Sequence, residues 1–365
     1  MTQSLAAFTP IKYSLKTVEL LYNETLYPMV TNTMYEGAIK DSGDRVRVRT
    51  AAKITLSTYT KGMTLVKQDL NPTYEDLIID QQKYFAFLVD DVDKMQNDIE
   101  AITEYAKNTK RDMAQVIDTD LLSYMRKNVK GLNAVGTDYS TGTVAVAVTT
   151  GVVTGSGTTF TAGMVGGFFR ASTHPTGKYY LVTAYTSSTS ITITDLDGIA
   201  YTGGAVTAGD TYIIKAATPV TLTKSNVYQY LVSLRTVLSQ ALTPEADRFL
   251  VVNAQFEGLL LQAPEFIPAV IPAYNDVVVN GKIGRIAGFT VYSNELIDGN
   301  NTTGFWAVAG TKTFTAFAAQ IMKTSVVPSE MDPNSFTATC KGLLVYGRKV
   351  FEGNRGYGAT LRWIS

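Results

Sequence analysis

Arg45, Arg47 and Arg49 alternate with Val46 and Val48 in the stretch GDRVRVRT. A period of two puts the three arginines on one face of a strand and the valines on the other. A second strand-like run, MTLVKQDL, follows a turn signal at Lys61-Gly62. Together the two runs predict a long hairpin with a thin apolar side. A lone two-stranded ribbon is marginal in water, so this one is expected to find a partner elsewhere. Residues 74–90, YEDLIIDQQKYFAFLVD, predict one long strand with Phe85, Phe87 and Val89 on one side and Tyr84, Ala86 and Leu88 on the other. Apolar residues on both faces suit a sheet-central or interfacial strand.

Between 91 and 130 the period changes. Met95, Ile99, Ile102, Ala106, Met113, Ile117 and Leu121 step by threes and fours apart from one skipped turn near Thr109, which predicts a long helix or two in tandem. Asp91, Asp93, Asp98, Glu100 and Glu104 load its start, and Arg126, Lys127 and Lys130 its end. That is the order the helix dipole favours, and Gly131 supplies the stop. Forty residues would reach about 60 Å.

From 135 to 217 the chain becomes rich in Thr, Gly, Val, Ser and Ala. Short alternating runs such as GTVAVAV, SITITD and DTYIIKA are divided by Gly and Ser turns. They predict an all-β module, a sandwich or small barrel. After Pro219 helical spacing returns: Val227, Leu231, Leu234 and Leu238 predict a helix that Ser225 or Asn226 would cap. RFLVVN reads as a buried strand and AQFEGLLLQAPEF as a short helix. Residues 267–283 read as a loop ending in Asn280-Gly281. GFTVYSNEL and FWAVAG read as strands, Thr311 to Ile321 as a short helix, and 335–364 as a closing strand set with Phe336, Ala338 and Cys340 on one face. The β module thus interrupts an α+β frame, as loop insertions do. The expected divisions are an N-terminal arm (1–42), too apolar to be a free tail; the hairpin (43–73); strand and long helix (74–134); the β-rich module (135–217); an α+β domain (218–325); and terminal strands (326–365).

Composition narrows the function. The 365 residues hold 32 Lys and Arg against 32 Asp and Glu, without the basic excess of a dedicated nucleic-acid binder. Charged residues make up 18%, below the usual ~25% of a soluble domain, so much of the surface is expected to meet protein. The single cysteine, Cys340, reads as a small buried apolar residue in a strand. The single histidine, His174, sits in a Thr-Pro-Gly loop and lacks the companions of a metal cluster. No secretory signal and no 18-residue apolar run stand out; assembly in a cytoplasm without membrane contact is expected. Phosphate-loop, nucleophile-elbow and zinc motifs are not found. No catalytic, cofactor or metal residue is therefore expected, and the chain reads as a non-enzyme. Asp90, Asp91 and Asp93 read as a carboxylate-rich helix start, and Arg45, Arg47 and Arg49 as protein-facing, since no basic field surrounds them.

The order of parts resembles the major capsid proteins of tailed double-stranded DNA phages, which have the Hong Kong 97 fold. GDRVRVRTAAKITLSTYTKGMTLVKQDL followed by LIIDQQKYFAFLVDDVDKMQ is similar to that family's extended loop and peripheral-domain strand, and RFLVVNAQFEGLLLQAPEF is similar to its axial domain. The likeness covers everything but the β module. It implies an α+β capsid fold with N-terminal arm, extended loop, spine helix, peripheral and axial domains, and an inserted all-β module. It implies a virion shell protein that assembles as pentamers and hexamers around packaged DNA bound without sequence specificity. Expected partners are a portal, a separate scaffolding protein, since no coiled-coil scaffolding segment precedes the arm, and a decoration protein. In such proteins the extended loop reaches a neighbouring subunit. Arg45, Arg47, Arg49 and Lys61 are then expected to meet carboxylates there, and Lys67 lies on the same loop. No Asn partner for Lys61 or Lys67 can be matched, so crosslinking is not expected. TGSGTTFTAGMVG resembles small domains of phage surface proteins, which implies an outer-face module that strengthens contacts between capsomers or replaces a separate decoration protein. Two rival readings are an encapsulin-like nanocompartment subunit and a tail or fibre binding protein.

Overall fold

A computed structural model describes residues 26–35, 45–50, 54–69, 72–90, 100–264, 285–301, 303–327 and 337–365. In chain order these form a helical turn α1 (Tyr27–Val30), strands β1 (Arg45–Thr50), β2 (Thr73–Ile78) and β3 (Gln81–Asp90), and helix α2 (Glu100–Lys127). Short strands follow: β4 (Ala134–Val135), β5 (Thr137–Tyr139), β6 (Thr143–Val146), β7 (Val152–Ser156), β8 (Phe168–Ala171), β9 (Tyr180–Ser187), β10 (Ser190–Thr194), β11 (Val206–Asp210), β12 (Tyr212–Thr218) and β13 (Val220–Thr221). The remainder is α3 (Val227–Gln240), β14 (Arg248–Val252), α4 (Ala254–Leu261), β15 (Arg285–Ile286), β16 (Phe289–Ser293), β17 (Gly299–Asn300), β18 (Gly304–Thr311), β19 (Ala316–Val327), β20 (Thr337–Lys349) and β21 (Gly358–Ile364). The chain divides into two units. One comprises 1–19, 32–109 and 316–351; the other comprises 20–31, 110–315 and 352–365.

In the first unit β1 pairs antiparallel with β2, Arg45 facing Ile78 and Thr50 facing Thr73. This corrects the expected hairpin. The Lys61-Gly62 turn is made, with Gly62 at φ +89° and the Met63 N–H donating to Thr60 O at 3.0 Å. Residues 63–69 nevertheless form no strand, and the ladder of β1 closes on 73–78. The reason is burial. Pairing with β2 sets Val46 and Val48 against a core of Leu77, Ile79, Ala316, Ala318, Val345 and Phe351, whereas Leu65 and Val66 are exposed and have no core beneath them. Gln68 ties the two arms, accepting from Thr55 N–H at 3.1 Å and donating to Thr55 O at 2.7 Å.

The expected single strand over 74–90 is two strands, β2 and β3, broken where Ile79 turns into the core. β3 joins β20 and β19 in an antiparallel sheet with β20 central. Phe85 and Phe87 stack at 6.3 Å on the half-buried face, while Tyr84, Ala86 and Leu88 point to solvent. Two glycines of β20 make room for these neighbours: a Cβ at Gly342 would lie 2.3 Å from the Phe85 ring, and one at Gly347 would lie 2.3 Å from Ile78 O. The helix expected at Thr311–Ile321 is absent. Its Phe314, Phe317 and Ile321 spacing imitates a helical period, but residues 312–315 turn and β19 begins at Ala316, where Ala316 and Ala318 face the core. Cys340 lies in β20; its side chain is outside the described residues, as are Phe336, loop 267–283, most of the arm, and the acidic residues 91–98.

In the second unit α2 buries Ile117, Leu121, Leu122 and Met125. Its 28 residues span about 42 Å, and Gly131 opens a 3-10 turn, pressed so close to Tyr179 that a Cβ would sit 2.4 Å from the ring. The main sheet runs β13-β21-β18-β14-β16-β15. β14 is buried throughout, and α3 lays Val227, Leu231, Leu234 and Leu238 on the sheet as its spacing predicts. Asn226 stands at the N-cap position but does not cap: its Oδ1 accepts from Thr223 N–H instead. Asn253 does cap α4, accepting from Phe256 N–H at 3.1 Å.

One edge of β21 is shared by two short strands. β4 pairs with Thr360 and Leu361, β13 with Trp363 and Ile364, and both are parallel. Between them the chain builds a second sheet, β11-β6-β7-β10-β9-β8-β12-β5, antiparallel throughout. Its strands contribute to one core that includes Val144, Val153, Phe169, Tyr180, Ile191 and Ile214.

His174 closes this core. Its Nδ1 accepts from Ala171 N–H at 3.0 Å, so the proton resides on Nε2, 2.7 Å from the Tyr201 hydroxyl, which in turn donates to Gly204 O. Burial lowers its pKa below 6.5. A group whose folded pKa is depressed binds its proton more readily when unfolded, so stability is lost as pH falls. Thermal unfolding between pH 7 and 5 should therefore show a falling midpoint. The fall should be smaller in His174→Asn, which keeps an acceptor for Ala171 N–H but does not titrate.

Candidate assembly surface

The ribbon of β1 and β2 turns its arginines outward as the alternation predicts. Arg47 is already engaged within the chain: Nε donates to Asp76 Oδ1 at 2.9 Å and Nη2 to Oδ2 at 3.1 Å. Its guanidinium lies 4.2 Å from the Tyr74 ring centroid, and Arg45 Nη1 stands 3.9 Å from the same carboxylate. The Arg47 hydrogen bond is the main cause that holds Asp76 below its ordinary pKa. Asp76 escaped the sequence reading because it faces Arg47 only when β1 pairs with 73–78. Arg49, Lys61 and Lys67 are exposed, and they have no ion-pair partner among the described residues. Beyond the ladder Ile54, Leu56, Tyr59, Leu65 and Val66 are exposed, Leu56 to 95%. On β3, Tyr84 is exposed to 83% and Leu88 to 68%. Large apolar side chains on an extension without a core of its own mark a surface that another molecule covers.

The second unit holds a set of arginines, Arg362 and Arg126 buried and Arg355 half-buried, that no sequence pattern disclosed. Arg362 lies on β21 at the break between β4 and β13, 1% exposed. Its guanidinium donates to Ala216 O (3.1 Å), Ala217 O (2.8 Å), Gly163 O (2.5 Å) and Thr303 O (2.9 Å). Burial pushes its pKa down to about 10, with Arg126 nearby adding to the fall; it stays charged at neutral pH. Arg126 bonds Asp298 at 2.8 Å and lies 4.6 Å from the Trp306 ring centroid. Arg355 bridges Asp197 (3.2 Å), Glu352 (2.7 Å) and Asn128 Oδ1 (2.9 Å). Arg362 and Arg355 join the eight-stranded sheet, or a residue beside it, to the main sheet or the end of α2, and Arg126 ties α2 to the main sheet, so polar ties supplement the apolar packing. Among the described residues no helix is long and apolar enough to cross a membrane, and no group of three or more His, Cys, Asp or Glu is placed to hold a metal ion.

No protein-family model and no curated sequence matches the chain. Solved structures do. A chain of Mycobacterium phage Che8 superposes with a TM-score of 0.59 over 93% of this chain and 91% of its own, at 18% identity. A chain in the capsid of cyanophage P-SCSP1u gives a TM-score of 0.55 over 93% and 88%, at 13% identity. One in the mature capsid of bacteriophage PhiM1 gives 0.53 over 91% and 87%, at 11% identity. The chain therefore shares its fold, mixed helix and sheet with strands predominating, with these phage structures. The expected likeness to phage capsid structures is one of overall fold, with at most 18% of residues shared with any of these three.

Proposed function

We propose that this chain is the major capsid protein of a tailed double-stranded DNA phage, assembling as pentamers and hexamers into the shell that encloses the genome. One observation carries the reading: the fold matches capsid chains across about nine tenths of both partners, 93% and 88% for the cyanophage. The parts fit a Hong Kong 97 arrangement. Residues 45–78 serve as the extended loop, α2 as the spine helix, β3 with β19 and β20 as the peripheral domain, and the sheet around β14 as the axial domain. The eight-stranded sheet serves as an inserted module, a role supported by the way β4 and β13 share one edge of β21. The bare apolar side chains of 54–66 and of β3 would be covered by neighbouring copies, in interfaces of the obligate kind that exceed ~2,000 Å². Arg49, Lys61 and Lys67 are then the cations best placed to meet a neighbour's carboxylates. A portal and a separate scaffolding protein complete the assembly.

Expression of the chain, alone and with a candidate scaffolding protein, followed by electron microscopy, tests this. Closed shells or rings of five and six subunits are expected. Monomers or trimers that never close under either condition would overturn it in favour of a tail-associated protein.

A further inference from the structure

We propose that Leu242 is an assembly anchor, a side chain held out for contact with a second copy of this chain at the expense of its own fold's stability. The identity of the partner rests on the capsid reading; the need for a partner rests on the geometry of one corner. α3 ends in a Schellman turn: Thr243 N–H donates to Leu238 O and Leu242 N–H to Ser239 O, both at 3.0 Å. Leu242 holds the left-handed position of that turn, at φ +56°. Glycine is the usual occupant, because a Cβ there crowds the backbone. The other non-glycine residues at positive φ among those described are Ala216, Asp247 and Ala287. Two are small, and aspartate tolerates this conformation. Only Leu242 brings a large apolar side chain to it.

The fold gains nothing in return. Leu242 is 87% exposed, so its side chain packs on almost nothing of its own chain. No other large apolar side chain described in the second unit exceeds the 57% of Ile199. A strained backbone and an exposed apolar side chain at one residue both oppose stability, so folding explains neither. A contact made after folding explains both: burial there makes the apolar surface favourable, and the hydrogen-bonded corner holds the side chain out with little left to order on binding. The partner is a second copy, because the fold is shared with phage capsid structures and the surface suits itself. Leu242 and Ile199 line one cleft of about 740 Å³, together with Lys130 and Lys178. Neither lysine has an ion-pair partner among the described residues. Asp247, at the far end of the same corner, is exposed and lacks one too. Apolar side chains bordered by unpaired charges of both signs complement a surface of the same make-up, whereas a uniformly acidic or basic partner leaves one sign unmet.

Substitution at 242 separates fold from contact, because the two respond in opposite directions. Leu242→Gly should melt about 2–4 °C higher as a free subunit, and Leu242→Asn, polar and tolerant of positive φ, should melt no lower. Both should weaken association between copies at least about tenfold, the factor that burial of one leucine supplies. Leu242→Met keeps an apolar side chain and should melt and assemble as the unaltered chain does. A residue with only a structural role would move both readings together. Full assembly of Leu242→Gly and Leu242→Asn would overturn the proposal. Leu242→Cys gives a second reading. Alkylation at 242, followed by peptide mass spectrometry, should be fast in the dilute subunit and blocked in particles from which any scaffolding protein has been extracted. Equal labelling in subunit and particle, or blocking that vanishes with the scaffolding protein, would overturn it. If no particle forms under any condition, the shell reading fails by itself. The labelling rate then decides this inference: it should still slow as the chain is concentrated, and a rate independent of concentration would overturn it.

Discussion

A chain in which Arg45, Arg47 and Arg49 are all reversed to Glu is expected to stay soluble and to form no shells. Reversal does two separate things. At Arg49 it removes a cation that has no ion-pair partner among the described residues, and so strikes the surface offered to a neighbour. At Arg47 it destroys a bidentate pair and brings a carboxylate against Asp76, loosening β1 from β2 before any neighbour is met. Exposed pairs contribute little to stability, but the register of this ribbon positions the whole extension. The two effects separate by repair. Arg47→Glu combined with Asp76→Arg restores the pair in reverse and should assemble. Arg49→Glu, with nothing to repair it, should not. Sedimentation and electron microscopy of the unaltered chain and these three variants would decide. Normal shells from the triple reversal would remove the ribbon from any part in assembly.

Arg362→Met is expected to cost about 3–5 kcal/mol, read as a lower urea midpoint at unchanged slope. The cost arises less from the lost guanidinium than from what it leaves behind. Two buried backbone carbonyls, of Ala216 and Ala217, and two partly buried ones, of Gly163 and Thr303, lose donors, and a buried acceptor without a donor costs about 1–3 kcal/mol. Arg362→Lys keeps a charge but reaches fewer of them and should lie between. The same geometry governs removal of the eight-stranded sheet. Deleting Thr137–Ala217 takes away three of the four carbonyls and strands a buried cation, so that deletion alone should fold poorly. Joined with Arg362→Met it should recover, and only that double variant tests whether the sheet strengthens a shell. Shells of equal stability without it would end the strengthening role.

How far the sequence could be read depended on the range over which each signal acts. α3 and β14 were legible because a three-four period and the four-residue apolar run Phe249–Val252 are decided by neighbours along the chain. The outward arginines of β1 were legible for the same reason. The partner of β1 was not, since the choice between 63–70 and 73–78 rests on Leu77 and Ile79 finding a core built partly from β19 and β20, which lie far along the chain. β19 was misread because Phe314, Phe317 and Ile321 fall at helical spacing by chance, while the long-range ladder to β20 decides the matter. Arg126, Arg355 and Arg362 look like ordinary surface cations in a sequence. Nothing local announces a guanidinium whose partners are carbonyls and carboxylates brought together by the fold.

The shared edge of β21 makes this protein a natural socket. The polypeptide leaves the main sheet after Leu361's partner and rejoins it at Trp363's partner, two rungs further along the same strand. Its closing pair, Thr137 opposite Thr218, brings both ends out side by side. A foreign domain with adjacent termini could take the place of the eight-stranded sheet without disturbing a single ladder of the frame, provided its base presents carbonyls to Arg362 or that residue is made apolar. On the proposed reading of this chain as a shell subunit with that module outermost, a carrier designed on this rule would display one copy of a chosen antigen or enzyme for every subunit.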